Sequence, residues 1–460
     1  MFEAQAHRAE LLEKIEDFFN RKRYAELRDL LLPMEAADIA SLCADLDEKV
    51  PVVFRLLPKE LAAEVFVELD SDEQELLIHS FSNAELKEVL DELYLDDAAD
   101  IVEEMPAGVV KRILRHCDPE MRKSINEILK YPEDSAGSIM TTEFVDLKAT
   151  MTVEDALKRI RRTGPDKETI NICYVIDERR HLIGLLTIRT LLLAEEDDVI
   201  GDIMERNLIA VQTLDDQEAV ARALGKYDFL ALPVVDKEDR LVGIVTVDDA
   251  IDVLQEEVTE DIEKMAAILP SDKPYLKTST LETYKARIPW LLLLMISATF
   301  TGQIIASFES ALAAATILTA YIPMLMDSGG NCGSQASVTV IRGLSLGEIT
   351  FADFFRVLWK ELRVAMVCGV TLAAANFAKL MLVDRLLFGN TMVTAPVAAV
   401  ICGTLVCTVL CAKLVGSSLP LLAKRIGFDP AVMASPFITT IVDAISLLIY
   451  FQFASAILGL

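Results

Sequence analysis

Apolar and polar positions follow three successive patterns along this chain of 460 residues. Residues 1–132 contain short segments with apolar residues at i, i+3, i+4 and i+7, a spacing that predicts short helices in a superhelical arrangement. Residues 138–257 alternate strand-like and helix-like segments, and residues 286–460 contain long apolar runs. The predicted class is therefore a multidomain membrane protein with an all-α N domain, an α/β region and a transmembrane domain.

The α/β region is internally duplicated, because short segments of its first half return in the same order in its second half. The repeated segments are 139–141 and 203–205, 173–177 and 232–236, and 182–187 and 241–246. Two copies that share their order over about 60 residues resemble tandem CBS domains. The resemblance divides the region into a first CBS domain, 138–200, and a second CBS domain, 201–257.

One of the two copies carries a nucleotide-binding pattern. CBS pairs often bind adenosine nucleotides through Gly-x-x-Thr-x-x-Asp, which the second copy has at Gly243, Thr246 and Asp249, whereas the first has Thr190 in place of Asp. The resemblance implies ATP or another adenine nucleotide at the second copy, with Phe229, Thr246 and Asp249 as contacts. No GxxxxGK[ST] motif occurs, which argues against ATP hydrolysis as a power source.

Charge separates the front of the chain from the back. The residues from Ile288 onward hold nine of the 44 basic and eight of the 72 acidic residues, which leaves 35 basic and 64 acidic residues in front of them. Such an acidic region excludes nucleic acid as the natural partner and favours cations. The alternative is that the surplus acid only aids solubility.

Residues 248–270 form an acidic stretch of helical pattern that would connect the CBS pair to the membrane region. Like charges three or four residues apart destabilise an isolated helix by about 0.2–0.5 kcal/mol per pair. Lys264 is the only basic residue in the stretch. We therefore expect a bound cation to relieve this repulsion, and a solvated linker helix is the alternative.

Five apolar stretches are long enough to cross the hydrocarbon core of a bilayer. They lie at 288–308, 312–341, 357–383, 393–421 and 431–458. Basic residues concentrate after the second and fourth stretches, so positive-inside counting predicts a multi-pass cell-membrane protein with cytosolic N-terminal domains and its C-terminus outside. The charged first ten residues lack the apolar core of a signal peptide, which agrees with a cytosolic start.

Asp443 is the only acidic residue between Ala431 and the C-terminus. A carboxylate near the bilayer centre costs roughly 2.5–3.5 kcal/mol on insertion scales, so it usually faces water or a partner. Ser435 and Thr439 share its helix face, eight and four residues earlier. These oxygen ligands favour an ion pathway for a hard cation.

Mg²⁺ fits this set of ligands, since it keeps several waters and binds one or two carboxylates; a single Asp per chain suffices if two chains share an axis. Residues 323–335 add glycines, Asp327, Asn331 and Gln335 within the second stretch. The alternative is a structural Asp443 that pairs with Lys379 or Lys413.

The order of domains and the motifs at 323–335 and 429–443 resemble the MgtE-type magnesium transporter and channel family. The resemblance implies magnesium uptake by a homodimer in the lipid bilayer, with Asp443 of both chains at a central Mg²⁺ site. It places Asn331, Gly329 and Gly330 at the gate and Ser435 and Thr439 along the path. Where the family pattern leads us to expect a glycine, this chain has Ser446.

The resemblance also implies that cytosolic Mg²⁺ binds acidic residues of the N domain, the CBS pair and the connecting helix, which acts as a plug, and thereby closes the pore. These predicted metal positions are Glu64, Asp96, Asp100, Asp216, Glu218, Asp228, Asp249, Asp252, Glu257, Glu260 and Asp261, with Asp429 as a further one.

Two other functions remain open on the sequence. One is an exchanger that moves Mg²⁺ or Co²⁺ against H⁺ or Na⁺, and the other is a membrane-bound nucleotide sensor that transports nothing. An enzyme is not expected, because the chain has neither a nucleophile–base arrangement nor a phosphate-binding loop.

Overall fold

The computed structural model describes residues 2–46, 49–271, 275–433 and 435–459. The chain divides into two compact units, Met1–Leu254 and Gln255–Leu460. The first unit contains the helical N domain and the CBS pair, and the second contains the long apolar helices. Each unit is described separately below.

The N domain is all helical in its described residues. Its helices are α1 (Phe2–Asn20), α2 (Tyr24–Leu31), α3 (Ala36–Cys43), α4 (Val50–Phe54), α5 (Lys59–Val67), α6 (Ser71–Ser80), α7 (Asn83–Leu90), α8 (Leu95–Glu104), α9 (Ala107–His116) and α10 (Pro119–Ile128). Capping boxes begin α6 at Asp70 and α7 at Ser82, since each side chain bonds the amide three residues later. Phe54 packs against Phe66 and Phe81 in the core, at ring-centroid distances of 6.3 and 6.1 Å.

The CBS pair contains two three-stranded sheets, β1-β2-β3 and β4-β5-β6. In each sheet the first two strands are parallel and the last two are antiparallel. The elements are β1 (Val145–Lys148), α11 (Val153–Thr163), β2 (Ile172–Ile176), β3 (Leu182–Thr187), α12 (Ile188–Leu193), α13 (Ile200–Ile203), β4 (Val211–Gln212), α14 (Gln217–Tyr227), β5 (Ala231–Val235), β6 (Leu241–Thr246) and α15 (Val247–Met265).

The segment before the first sheet packs on the second sheet. Met140 lies over Gly243 of β6, where a Cβ atom would come within 2.6 Å of the Met140 Sδ. Met204 lies over Gly184 of β3 in the same way, at 2.4 Å from such a Cβ. The repeated Ile-Met dipeptides therefore fill glycine-lined gaps, and neither strand has room for a side chain at its glycine.

The second unit contains long helices and short connecting ones. They are α16 (Thr280–Ser307), α17 (Glu309–Ala314), α18 (Ile322–Ser345), α19 (Phe354–Lys379), α20 (Ala395–Arg425) and α21 (Ser435–Leu458). A π-helical segment, Leu380–Leu387, continues α19. Its backbone hydrogen bonds join residues five positions apart, such as the Phe388 amide and the Val383 carbonyl, which is π-helical geometry.

Among the described residues, four helical stretches are long and apolar enough to cross a membrane: Thr280–Ser307, Phe351–Leu387, Ala395–Arg425 and Pro430–Leu458. The fifth helix, α18, has 24 residues but does not belong to this set because polar and glycine residues interrupt it. Its predicted start at 312 is wrong, since a 3₁₀ segment (Thr316–Tyr321) precedes the helix. The predicted start of the last helix at 431 is also early, because the chain forms a 3₁₀ turn there and α21 begins at Ser435.

Candidate metal-ion pathway and regulatory carboxylates

Glycines bring α18 into close contact with α20 and α21. A Cβ atom at Gly329 would lie 2.7 Å from the Thr408 Cγ2, and one at Gly330 would lie 2.9 Å from the Thr439 Cγ2. Both distances are shorter than van der Waals contact, so neither position has room for a side chain. The paired glycines thus set the distance between the polar residues of α18 and those of α21.

The tightest of these helix contacts joins Gly416 of α20 to Gly333 of α18. A Cβ atom at Gly416 would lie 2.2 Å from the Gly333 carbonyl oxygen, which belongs to the backbone and has no rotamer to change. We expect Gly416→Ala to destabilise the protein by about 1–3 kcal/mol through overpacking. The measurement is thermal unfolding of the detergent-solubilised protein.

Gly302→Ala is the matched control, because a Cβ atom at Gly302 of α16 would meet nothing within 4 Å. This control should unfold at the wild-type temperature or slightly above it, since Ala favours helix more than Gly does. Equal unfolding temperatures for the two variants would contradict the close contact of α18 with α20.

A stripe of polar side chains follows one face of α18. Asp327, Asn331, Gln335 and Thr339 recur every four residues, and each is exposed in the single chain. The opposite face is buried against α20 and α21, with Gly329, Gly330 and Gly333 on it. Exposed amides and a carboxylate between apolar helices require water or a partner in the membrane.

Asp443 lies on α21 beside this stripe. Its Oδ1 atom is buried and has no hydrogen-bond partner among the described residues, and Asp327 is close enough for the two carboxylates to repel each other. Lys413 pairs with Glu361 at 3.7 Å, and Lys379 pairs with Asp384 at 2.8 Å. The alternative in which one of these lysines neutralises Asp443 is therefore wrong.

Two polar side chains are buried against Gly329, on the face of α18 opposite the stripe. The Thr408 hydroxyl on α20 is buried without a hydrogen-bond partner in the described part of the chain, and it lies next to Gly329. Ser446, where a glycine was expected, is 1% exposed and donates to the Val442 carbonyl at 2.6 Å. The Ser435 side chain lies outside the described residues, although its backbone begins α21.

The C-terminal end of α15 contacts the membrane helices within the second unit. Lys264 lies between two carboxylates and donates to Asp429 at 2.7 Å and to Glu260. Ser345, the last residue of α18, donates to Asp261 at 3.1 Å. Lys264 therefore neutralises part of the acidic helix by pairing with Glu260. It also joins this helix to Asp429, which caps the 3₁₀ turn by accepting from the Ala431 amide.

In the first unit, α8 and the start of α15 contribute to a cluster of carboxylates. Burial, and next the charge of Asp249, raises the pKa of Asp96 well above its usual range. The same two causes raise the pKa of Asp100 to about 8 and that of Glu168 to about 7. Asp96 is 6% exposed, whereas Asp100 is exposed, so solvent screens Asp100 more and its effect on stability is smaller.

Two carboxylate oxygens of this cluster, the Oε2 atoms of Glu143 and Glu168, are buried without a hydrogen-bond partner among the described residues. Asp96 and Asp100 of the N domain and Asp249 of α15, which are all predicted metal positions, thus lie in one cluster. A cation in this neighbourhood would replace repulsion by attraction.

The raised pKa values predict how stability depends on pH. Between the ordinary carboxyl range and about pH 8, the folded cluster keeps protons that the unfolded chain releases, so stability falls as pH rises. We expect the free energy of unfolding of a fragment spanning residues 1–270 to fall between about pH 5 and about pH 8 without Mg²⁺. Urea unfolding followed by circular dichroism measures it.

The control for this prediction is Asp97→Asn, because burial and the charge of Asp249 raise the pKa of Asp97 to about 7. The variant should show a shallower fall of stability with pH. A wild-type fragment whose stability rises over this interval would contradict the electrostatic description of the cluster.

Of the other predicted metal positions, Asp252 adjoins this cluster, because its charge is among the causes that raise the pKa of Asp249. Asp216 caps α14 by accepting from the amides of Glu218 and Ala219, and Glu218 pairs with Arg222 at 3.1 Å. Asp228 ends α14 with a left-handed φ of 54°. Glu64 on α5 and Asp252 on α15 are exposed, and Glu257 is half-buried. No three His, Cys, Asp or Glu side chains in the described ranges are arranged to hold a metal ion.

The predicted nucleotide contacts lie near one another at the end of β6. The Thr246 hydroxyl donates to Asp249 at 2.6 Å, and Thr246 is buried. Phe229 is half-buried and stacks on Tyr227 at a centroid distance of 5.5 Å. In the first copy the corresponding contact is between two hydroxyls, those of Thr187 and Thr190, at 2.9 Å.

The membrane helices, the polar stripe and the CBS pair are together typical of a membrane transport protein with a regulatory region. Comparison with known proteins agrees with this class. Residues 322–453 match the family described as MgtE, divalent cation transporter. Residues 34–134 match the MgtE intracellular N domain, and residues 136–197 and 200–256 match the CBS domain.

Relatives are similar over nearly the whole chain. The magnesium transporter MgtE of Thermus thermophilus is 39% identical over 94% of this chain and 95% of its own length. The magnesium transporter MgtE of Bacillus subtilis is 32% identical over 97% of each. A crystal structure of the cytosolic domain of the Mg²⁺ channel MgtE in complex with ATP is 40% identical, with a TM-score of 0.50, over 53% of this chain and 99% of that one.

The chain belongs to the MgtE family of magnesium transporters. The prediction of that family and of the fold class is thereby confirmed: a helical N domain, a CBS pair and several apolar membrane helices. The family is one of transporters and not of enzymes, and its transported substrate is Mg²⁺.

Proposed function

We propose that the protein is a Mg²⁺ channel for magnesium uptake, which two copies form around one pore and which cytosolic Mg²⁺ closes. The observation that carries the proposal is the exposed polar stripe Asp327–Asn331–Gln335 beside Asp443. In lipid this face is unfavourable, whereas a second copy of it across an axis would enclose a water-filled path. Two Asp443 carboxylates would then attract a Mg²⁺ that keeps its waters.

Each residue of the proposed pathway would contribute to permeation according to its chemistry. Asp443 supplies the negative charge that concentrates cations, and its neighbour Asp327 strengthens it. Asn331 offers an amide oxygen to the water shell of the ion, and Thr439 offers a hydroxyl oxygen from α21. Gly329 and Gly330 keep these groups close to the path because nothing larger fits there.

We assign closure of the pore to Mg²⁺ that binds the acidic residues of both units. At low Mg²⁺ the carboxylates around Asp96 and Asp249 repel one another, and bound Mg²⁺ would hold them together. Moving a gate from 1:99 to 99:1 requires about 5.5 kcal/mol, and a site filled to tenfold above its dissociation constant supplies about 1.4 kcal/mol. About four closed-state sites therefore suffice.

An adenine nucleotide fits the second CBS copy as a modulator. The MgtE cytosolic domain of 40% identity crystallised with ATP supports this assignment. Thr246 and Asp249 would bind the polar groups of the nucleotide, and Phe229 offers an aromatic face for its base. The bound nucleotide supplies binding energy and charge, and no hydrolysis is assigned to it.

The test is electrical recording from patches with the purified, reconstituted protein, while Mg²⁺ on the side of the soluble domains is stepped from micromolar to millimolar. A channel gives Mg²⁺ current without a counter-ion, and the current falls as Mg²⁺ rises. Flux that depends on H⁺ or Na⁺ would instead establish an exchanger. Absence of both current and flux would favour the nucleotide sensor.

A further inference from the structure

The segment that leads into α16 forms a cavity of about 480 Å³ within the second unit. One guanidinium, that of Arg287, contributes to its wall together with the hydroxyl-bearing Thr280, Thr283 and Tyr284. Ile288 and Leu291 contribute aliphatic side chains, and Tyr275, Leu276 and Thr278 complete the wall. The wall therefore combines a cationic group, hydroxyl groups and apolar side chains.

The position of the cavity along α16 places it at the edge of the bilayer. The helix has 28 residues and ends at Ser307, and about 20 residues cross the hydrocarbon core. Counting back from Ser307 brings the hydrocarbon edge to Arg287. Ile288 and Leu291 then lie at the depth of acyl chains, and Thr280 and Tyr284 at the depth of headgroups.

The surroundings of the cavity are positive, although the chain carries a net charge of −28. Residues 275–291 contain three basic residues and a single acidic one, Glu282. The Glu282 carboxylate accepts from the Ser279 amide at 2.9 Å, so it serves the start of the helix. Arg287 has neither an ion pair nor a hydrogen bond with any residue that the structure describes.

Two apolar residues of the cavity wall, Tyr275 and Leu276, are largely exposed. Leu276 is 94% exposed and Tyr275 is 75% exposed, in direct continuation of the apolar surface of α16. Aromatic and aliphatic side chains of this kind are stabilised at the membrane–water interface. The surface that surrounds the cavity is thus continuous with the lipid-facing surface of the helix.

We propose that this cavity binds one anionic phospholipid at the membrane surface where α16 enters the bilayer. The lipid phosphate pairs with the Arg287 guanidinium and accepts from the Thr280 and Tyr284 hydroxyls, while the Thr283 hydroxyl donates to the Ser279 carbonyl within the helix. One acyl chain follows Ile288 and Leu291 along the helix. The site is independent of the ion pathway, since its residues lie neither on α18 nor on α21.

The experiment counts lipid molecules bound to the full-length protein by native mass spectrometry in detergent, with added phosphatidylglycerol or phosphatidylcholine. We expect the wild type to bind phosphatidylglycerol more tightly than phosphatidylcholine. Arg287→Gln should weaken phosphatidylglycerol binding about tenfold, because a hydrogen bond to a charged group is lost. Lys285→Gln is the matched control, since Lys285 belongs to the same two turns of α16 but does not line the cavity.

Several results would overturn the proposal. If the two variants lose affinity equally, the attraction is a diffuse effect of positive charge and not a site. If wild-type protein binds phosphatidylcholine as tightly as phosphatidylglycerol, the phosphate–guanidinium pair does not select the lipid; this comparison needs no variant that must fold. If inorganic phosphate at the same concentration displaces phosphatidylglycerol from the protein, the site binds a free anion and not a lipid.

Discussion

Asp443→Ala is expected to lower Mg²⁺ current by at least about a hundredfold, because two carboxylates would leave one pore and each interaction with a charged group contributes about 1.5–3 kcal/mol. The Asp443 Oδ1 atom is buried without a hydrogen-bond partner in the described part of the chain. Its removal therefore breaks no hydrogen bond there and should leave the fold intact. Current across patches with the reconstituted variant measures the effect.

Two further variants make this result specific. Asp443→Asn keeps the size and one oxygen of the side chain, and it should still lose most of the current because the charge is gone. Glu348→Gln removes one charge from an exposed turn of the same unit and should conduct like the wild type. Wild-type current in Asp443→Ala protein that elutes normally from gel filtration would exclude Asp443 from the pathway.

The double variant Asp249→Asn with Asp252→Asn is expected to remain open at millimolar Mg²⁺. Asp249 repels Asp96, Asp97 and Asp100 in the first unit, and its pKa is raised by burial. Neutralising it removes both the repulsion that Mg²⁺ relieves and a ligand that Mg²⁺ would bind. If two closed-state sites are lost at about 1.4 kcal/mol each, the current that persists at high Mg²⁺ should rise by about a hundredfold.

The matched control is Glu238→Gln with Asp239→Asn, which removes two charges from an exposed turn of the same CBS domain. Asn tolerates the left-handed φ of 60° at position 239. This control should close at high Mg²⁺ as the wild type does. Normal closure of the Asp249 and Asp252 double variant would show that the carboxylates of the first unit do not operate the gate.

The soluble folds could be predicted from the sequence because their signals are local or repeated. Capping residues such as Ser82 mark helix starts, and the duplicated Gly-containing strands reveal the CBS pair. The packing of Met140 on Gly243 could not be predicted, since it joins residues about a hundred positions apart across the two copies. Such contacts depend on the tertiary arrangement and leave no periodic pattern.

Residues of the candidate ion pathway could be proposed where a residue type is unfavourable in a membrane. Asp443 and Asn331 are conspicuous because they interrupt apolar stretches, whereas the contact of Thr408 with Gly329 could not be predicted because a threonine commonly serves as a small packing residue in membrane helices. The start of α18 was also missed, since apolar residues continue backward through Thr316–Tyr321 although the backbone there forms a 3₁₀ segment. Hydropathy measures how well a segment suits an apolar environment, and it does not indicate where a helix begins.

The exposed stripe of α18 has a consequence for the biogenesis of the transporter. In the proposed dimer a second copy covers this stripe, so a newly inserted chain would present Asp327, Asn331 and Gln335 to lipid until that copy binds. Unassembled chains are thus recognisable to membrane quality control and should be short-lived. The abundance of the mature transporter would then rise more steeply than the rate of its synthesis, and a chain with a disabled Asp443 would inactivate every normal copy with which it assembles.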